Sequence, residues 1–253
     1  MRGKLGKRPA KRDRRNLKFA SILKPELPPI PEAWDTEFDL PVNIPVPMFA
    51  NDDFGCCVIS GRAHHTLGFE AYEQGVALQI TDKEVLEEYW REGGGDSTSR
   101  PDNGLYVLDS LKSWRTQGWT AGGKHYDIFA FAEIDRGKIA EVKAAIYLLN
   151  GGVGGGLALP LTAQEQFDKG IWYPVSGKGS GKGSWGGHYT AFCGYSPIGP
   201  TVKTWKRKFL MTWSFFLRYC DELYGIVDNK DRFLAHSPVD IGKLSDYLRR
   251  VTG

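Results

Sequence analysis

The sequence is poor in cysteine and has no long apolar run. Only four of its 253 residues are cysteines and two of these, Cys56 and Cys57, are adjacent. They cannot form the disulfide framework of a secreted protein, so we expect free thiols in a reducing compartment. No run of about 18 apolar residues is present for a membrane helix, and the basic N-terminus lacks the apolar stretch of a signal peptide. We expect a cytoplasmic protein that is not secreted through a signal peptide and has no membrane partner.

The net charge of +3 conceals an uneven distribution. Residues 1–18 hold nine Lys or Arg against one acidic residue, Asp13, whereas the remainder holds 24 basic and 29 acidic side chains. A basic arm of this kind is typical of a disordered or extended tether that binds an acidic partner, either nucleic acid or an acidic protein surface. A tail that only improves solubility is the alternative.

Composition divides the chain into three parts. Residues 1–22 form the basic arm, and residues 23–47 form a proline-rich strap, since seven prolines forbid a continuous helix there. Residues 48–253 form the main domain. Its first half, about 48–125, reads as helical and its second half, about 126–253, as strand-rich. We therefore expect an α+β protein with two lobes.

Hydrophobic spacing and capping signals predict the main elements of that domain. The predicted helices run over Cys57 to about Gln79, Thr81 to Trp90, Leu105 to Trp114, Lys138 to Leu149, Met211 to Leu223 and Ile241 to Leu248, and the second of them opens on the capping-box spacing of Thr81 and Glu84. The predicted strands run over Phe129 to Ile134, Val153 to Leu159, Trp185 to Tyr195 and Val202 to Trp205.

The stretch from Asn51 to His65 changes abruptly from turn-forming residues to small and apolar ones. This pattern is typical of a loop that leads into the first turn of a buried helix. A cysteine in that turn, such as Cys57, meets the unpaired N–H groups and the positive end of the helix dipole, which favour the thiolate. The alternative is a small buried core residue, as most free cysteines are.

A nucleophilic thiolate needs a partner base, and His188 is the best candidate. His188 follows two glycines and opens a predicted buried strand, which would display its imidazole at the end of a sheet. His64 and His65 lie about two turns from Cys57 on the same predicted helix, too far for contact if that helix is straight.

These residues resemble the papain-like cysteine peptidase superfamily. Cys57 and His188 are 131 positions apart, within the separation of the Cys and His in papain-like enzymes. Asn51 stands six residues before the cysteine, where that pattern has a glutamine, and Gly194-Tyr195 follow the histidine at the spacing of a Gly-Tyr pair. The resemblance covers roughly residues 45–227. It implies a two-lobed fold with a helical N-terminal lobe and an antiparallel β-sheet or barrel in the C-terminal lobe.

Two local runs are similar to uncharacterised papain-like proteins of bacteria and tailed phages. One run is Ala50 to Cys57 and the other is Met211 to Glu222. This likeness identifies Cys57 as the nucleophile and places Cys56 where those proteins have an aspartate. It also implies a virion location if the protein is encoded by a phage.

The resemblance implies a role for four residues in a thiol hydrolase acting through a thioester acyl-enzyme. Cys57 and His188 form a thiolate–imidazolium pair, and Asn51 helps the Cys57 N–H to hold the oxyanion. Thr204 stands 16 residues after the histidine, where the family has an asparagine, and its hydroxyl would orient the imidazole more loosely. Asn51 is one methylene shorter than the family's glutamine. The expected substrate is a peptide, a protein or another amide.

A catalytically inactive scaffold is the main rival hypothesis. In it Cys57 and His188 are vestigial, and the basic arm docks a structural protein, such as a phage virion component, onto nucleic acid or a capsid protein surface. A zinc site built from Cys56, Cys57, His64 and His65 lacks the two-residue gaps that let one chain wrap a tetrahedral ion. We expect neither a metal nor a cofactor.

Overall fold

The computed structural model describes residues 3–95, 102–229 and 239–252, which form an α+β structure as predicted. A 3-10 turn covers Phe19–Ile22. The helices are α1 (Cys57–Gln74), α2 (Asp82–Arg91), α3 (Val107–Gln117), α4 (Ile139–Leu149), α5 (Thr162–Phe167), α6 (Trp213–Tyr219) and α7 (Ile241–Thr252). The strands are β1 (Trp34–Asp35), β2 (Trp119–Ala121), β3 (Lys124–Tyr126), β4 (Ala130–Glu133), β5 (Val153–Leu159), β6 (Ile171–Trp172), β7 (Gly186–Tyr195), β8 (Pro200–Thr204), β9 (Arg207–Met211) and β10 (Cys220–Val227). Among the described helices, none is long and apolar enough to cross a bilayer.

The large sheet has the strand order β4-β10-β5-β7-β8-β9-β6, and β1 adds to β7 beside that path. Its neighbours pair antiparallel except for the parallel pair of β6 and β9. Strands β2 and β3 form a separate hairpin. The first residues of the long strand β7 lie at one end of this sheet, and β7 therefore carries His188 to a sheet end.

Two hydrophobic cores underlie two lobes. One core lies between the sheet and helices α4, α6 and α7, and the other lies among α1, α2 and α3. Tyr189 and Tyr224 come from the sheet but pack into the helical core, because they point from the sheet toward α1. The predicted division at about residue 125 stays a prediction.

A buried arginine ties the helices of the first lobe together. The Arg62 side chain on α1 is 2% exposed, and its guanidinium pairs with Glu88 and Glu92 of the α2 region. The Nη2 atom also donates to the carbonyl oxygen of Ser110 on α3 at 2.8 Å. Since buried charges are costly without partners, this network fixes the positions of α1, α2 and α3 relative to one another.

Glycines of β5 allow α1 to approach the sheet. A Cβ on Gly154 would lie 1.7 Å from the Tyr189 hydroxyl oxygen and 2.8 Å from Nε2 of His65. His65 lies 3.2 Å from that hydroxyl through Nε2, and its Nδ1 lies 2.8 Å from the carbonyl oxygen of Gly151. His65 therefore has a structural place in the helix–sheet contact.

Two predicted helices were too long. The helix that begins at Cys57 ends at Gln74, because Gly75 adopts a left-handed conformation (φ +64°) and caps it. The helix predicted over Met211–Leu223 covers only Trp213–Tyr219. From Cys220 the chain instead pairs with both β5 and β4, so hydrogen bonds to distant strands override the local helical spacing.

The described part of the basic arm is extended, which is one of the two expected forms, and it is packed against its own domain. Leu17, Phe19 and Ile22 are buried in the sheet core, and residues 4–8 form main-chain hydrogen bonds with the body of the protein. Several of its cations pair with the chain's own carboxylates, for example Lys11 with Asp109. That the arm binds an acidic partner stays a prediction.

Candidate active site

Cys57 is the first residue of α1, as the sequence predicts, and only 1% of its surface is exposed to solvent. The preceding loop is strained, because Phe49 and Ala50 both have φ +55°. Gly55 donates its N–H to Oδ2 of Asp102 at 2.7 Å, which fixes the last turn before the helix. In the first helical turn, the N–H groups of Ile59 and Ser60 donate to the Cys56 carbonyl oxygen at 2.9 and 3.0 Å. The positive end of the helix dipole favours an anion beside Cys57.

His188 on β7 is held by the β8–β9 hairpin. Its Nε2 lies 2.6 Å from Oγ1 of Thr204, and its ring stacks on Trp205 with centroids 4.1 Å apart and planes 22° apart. Trp205 and Lys206 form the two-residue turn of the hairpin with φ +39° and +68°, values that glycine and asparagine adopt more readily. The backbone of the turn is therefore strained, and the turn places the indole of Trp205 over the imidazole of His188.

The imidazole and the thiol share one buried region. The main-chain N–H of Tyr189, the residue after His188, is close enough to Cys57 to favour the thiolate form of its thiol. Nδ1 of His188 is buried and has no hydrogen-bond partner among the described residues, so the imidazole makes no direct hydrogen bond to the Cys57 thiol.

Burial keeps both groups neutral in this state. Burial raises the pKa of the Cys57 thiol to about 11, against the opposing effect of the N–H groups of Tyr189, Gly6 and Lys7. Burial, together with the positive charge of Lys7, lowers the pKa of His188 to about 3. A thiol and an unprotonated imidazole are therefore expected at neutral pH, in place of the thiolate–imidazolium pair that the sequence suggested.

Asn51 lies beside the same region and is 3% exposed. Its Nδ2 donates to the carbonyl oxygen of Phe54 at 2.9 Å and to that of Lys4 in the arm at 3.2 Å. Lys4 in turn donates its main-chain N–H to the Asn51 carbonyl oxygen at 2.7 Å. The predicted oxyanion donor thus already binds a peptide carbonyl that comes from the arm.

The arm crosses the region between the two lobes. On the helical side, Leu105 donates to the Gly6 carbonyl oxygen at 2.8 Å, and Arg8 donates to the Leu105 carbonyl oxygen at 2.8 Å. On the sheet side, Lys7 donates to the carbonyl oxygen of Gly187 at 3.1 Å. A single extended segment therefore hydrogen-bonds to both walls beside Cys57 and His188.

Glycines make this close approach of main chains possible. A Cβ on Gly6 would lie 1.6 Å from the Gly55 carbonyl oxygen. A Cβ on Gly104 would lie 1.9 Å from the Gly6 carbonyl oxygen, and one on Gly187 would lie 2.1 Å from that of Lys7. Sequence reasoning missed this role of the arm, although Gly55 lies within the singled-out stretch from Asn51 to His65 and Gly187 directly precedes His188.

The comparisons with known proteins agree with this architecture. The sequence matches no family model and no curated protein. Xylellain, a cysteine protease from Xylella fastidiosa, superposes with a TM-score of 0.67 at 14% identity over 90% of this chain and 98% of that one. Procathepsin B S9 from Trypanosoma congolense superposes with a TM-score of 0.56 at 14% identity, over 89% of this chain and 87% of that one. The Carica candamarcensis cysteine protease CMS1MS2, in complex with E-64, also superposes with a TM-score of 0.56 at 14% identity, over 79% of this chain and 100% of that one.

Identities this low establish the fold alone. The suggested closeness to proteins of tailed phages stays a prediction. The structural matches, the helix that begins at Cys57 and the sheet that carries His188 together show that this chain has the papain-like α+β fold that the motifs predicted.

Proposed function

We propose that the protein is a thiol hydrolase, a peptidase or amidase, that its own N-terminal arm holds in a latent state. The observation that carries this proposal is the course of residues 4–8, which form main-chain hydrogen bonds to both lobes beside Cys57. A groove that binds an extended polypeptide through its main chain suits a peptide substrate, since such contacts do not depend on side chains.

The neighbouring groups can support acyl transfer once the arm leaves. Thr204 can accept the Nε2 proton of His188, which leaves Nδ1 free to take the proton of the Cys57 thiol. The thiolate would attack the substrate carbonyl carbon, and the Asn51 amide and the Cys57 N–H would stabilise the oxyanion. His188 would then protonate the leaving amine, and water would release the acyl group from the thioester.

The same contacts explain why the arm inhibits. The arm presents the N–H groups of Gly6 and Lys7 to the Cys57 thiol, whereas the Gly6 carbonyl oxygen accepts from the N–H of Leu105. An N–H group offers no carbon for nucleophilic attack. The arm also excludes water, which keeps the thiol protonated, and it places the charge of Lys7 near the imidazole.

Hydrolysis by a full-length variant with a displaced arm tests the proposal. Gly6→Val puts a side chain where the Gly55 carbonyl stands, so the arm must leave the groove while the rest of the chain is unchanged. We expect this variant to hydrolyse a fluorescently labelled casein that the native protein leaves intact. The double variants Gly6→Val with Cys57→Ala and Gly6→Val with His188→Ala should be inactive, and Arg14→Ala, an exposed change in the same arm, should stay latent.

An inactive scaffold is the second candidate. The neutral thiol and imidazole favour it, as does the packing of the arm against the domain, which suits a structural component whose exposed arm cations meet nucleic acid or a capsid protein surface. If Gly6→Val unfolds no more easily than the native protein, releases the arm and still hydrolyses none of a broad set of peptides, the scaffold is the better description.

A further inference from the structure

The side chain of Lys7 is buried in an acidic pocket of the sheet lobe. It is 1% exposed, and its Nζ lies 2.9 Å from Oδ2 of Asp221 and 3.1 Å from Oε1 of Glu222. Nζ also donates to the carbonyl oxygen of Arg8 at 3.1 Å. A lysine is seldom buried to this extent unless it is paired, so the pocket supplies the opposite charge that this burial requires.

The geometry of β10 builds the pocket. On a regular strand consecutive side chains point to opposite faces, but the pairing of β10 with β5 shifts register between Cys220 and Glu222. This irregularity allows both Asp221 and Glu222 to reach the same Nζ atom. The pocket therefore presents two carboxylates to one cation.

Gly156 on β5 provides the space for the aliphatic stem. A Cβ at this position would lie 2.0 Å from Cε of Lys7 and 2.8 Å from Cγ of Glu222. Gly156 is also the register partner of Glu222 across the two strands. The absence of a side chain at Gly156 thus opens a channel of lysine length that ends at the carboxylates.

The pocket needs a cation even when the arm is absent. The Glu222 side chain is 5% exposed; the Tyr224 hydroxyl is a polar neighbour of its carboxylate, and among the described residues Lys7 is the cation that pairs with it. Lys7 neutralises it through the charge contact at 3.1 Å. Because a desolvated carboxylate without a partner is costly, loss of Lys7 leaves a strong preference for another positive side chain.

The pocket also belongs to the groove beside Cys57. Lys7 donates its main-chain N–H to Gly187, the residue before His188, while its neighbour Gly6 packs on Gly55, two residues before Cys57. We propose that the pocket of Gly156, Asp221 and Glu222 selects a lysine or arginine side chain of the peptide substrate, and that Lys7 fills it in the latent state. That the bound peptide is a substrate rests on the proposed function, whereas the binding of a basic side chain in this pocket does not.

Binding of a synthetic arm peptide to the full-length protein tests the proposal. The probe is a fluorescein-labelled peptide with the sequence of residues 3–11, and the protein is the full chain with Gly6→Val and Cys57→Ala, which frees the groove and prevents turnover. Fluorescence anisotropy gives the dissociation constant. We expect a peptide with leucine in place of Lys7 to bind about tenfold more weakly, one with glutamate weaker still, and one with arginine close to the native peptide.

Changes in the pocket should remove this preference. In the same background, Glu222→Gln combined with Asp221→Asn should bring the lysine and leucine peptides to equal affinity, and Gly156→Ala should weaken the lysine peptide most. Asp35→Asn changes a carboxylate beside Gly194, at the other end of β7, and should leave the preference intact. Urea unfolding of each variant shows whether the fold is retained.

The outcomes separate this inference from the proposed function. Equal binding of the lysine, leucine and glutamate peptides, or no binding of any of them, overturns the pocket. A lysine preference in binding without hydrolysis of any peptide by Gly6→Val supports the pocket and contradicts the hydrolase. Hydrolysis by Gly6→Val without preference for a basic residue supports the hydrolase and contradicts the pocket.

Discussion

Replacing Gly6 by valine should increase the rate at which iodoacetamide alkylates Cys57. The Cβ would stand 1.6 Å from the Gly55 carbonyl oxygen, which belongs to the main chain and cannot rotate away. The arm must therefore leave the groove, and Cys57 becomes accessible to solvent. Both the burial that suppresses the thiolate and the steric block disappear in one substitution.

The size of the increase follows from the pKa of the thiol. Burial raises the pKa of Cys57 to about 11, so about one molecule in ten thousand carries the thiolate at pH 7. An ordinary accessible thiol has a pKa of about 8.5, which gives roughly 300 times more thiolate. The less basic thiolate is also less nucleophilic, by about 10- to 18-fold for a Brønsted slope of 0.4–0.5. We therefore expect an increase of at least about 17-fold before any gain in access is counted.

Mass spectrometry with pH as the variable measures this rate. Alkylation of the peptide that contains Cys56 and Cys57 is followed from pH 5 to 10, and fragmentation assigns the modified residue. Cys193 is an internal control, because burial raises its pKa to about 12 and its thiol donates to the carbonyl oxygen of Thr201 on β8. If His188 pairs with the freed thiol, the rate should reach a plateau well below pH 8, and His188→Ala should move it back toward pH 8.5.

Two results would refute this reasoning. The first is a Gly6→Val protein whose Cys57 reacts no faster than that of the native protein, while limited proteolysis shows that the arm has left the groove. The second is native Cys57 that reacts at pH 7 as fast as a free thiol, since the packed arm would then protect nothing.

Three further predictions concern stability and the charge of the pocket. Arg62→Leu should cost about 3–5 kcal/mol of unfolding free energy in urea, because two buried glutamates lose their partner, whereas Lys83→Ala, which breaks an exposed pair, should cause no measurable change. Gly154→Ala should cost about 1–3 kcal/mol through overpacking, whereas Gly68→Ala, whose Cβ meets nothing within 4 Å, should stabilise the helix by up to about 1 kcal/mol. With Lys7 in the pocket, burial raises the pKa of Glu222 to about 7, against the lowering effect of the Lys7 charge. In the empty pocket that opposing charge is missing, so the pKa of Glu222 is higher still, and binding of a lysine side chain releases a proton between the two values. The affinity of the freed groove for the lysine peptide should therefore increase as pH rises from about 7 to about 9, and a constant affinity would contradict it.

Local sequence signals were sufficient for most of the scaffold. Turn residues followed by an apolar run correctly predicted that a helix begins at Cys57, and the capping box at Thr81 is present with both of its hydrogen bonds. The strand predicted over Val153–Leu159 has those bounds in the structure. These features depend on neighbours within a few residues, which is why a single sequence reveals them.

The error over Met211–Leu223 marks the limit of that approach. Its aromatic residues suit a helix or a strand equally well by local pattern. The helix ends where Cys220 pairs with Leu157 of β5, and from Tyr224 onward the chain also pairs with β4. No pattern inside the segment contains those partners.

The sequence by itself determined the fold class, the helix that begins at Cys57 and the strand that carries His188, because short-range propensity and periodicity specify them. Only the tertiary structure decided that Trp205 stacks on His188, that glycines let the arm enter the groove, and that Lys7 meets Asp221 across 214 residues of chain. Those contacts join segments that are remote in sequence, and their energy depends on burial, which exists only after the two lobes have packed.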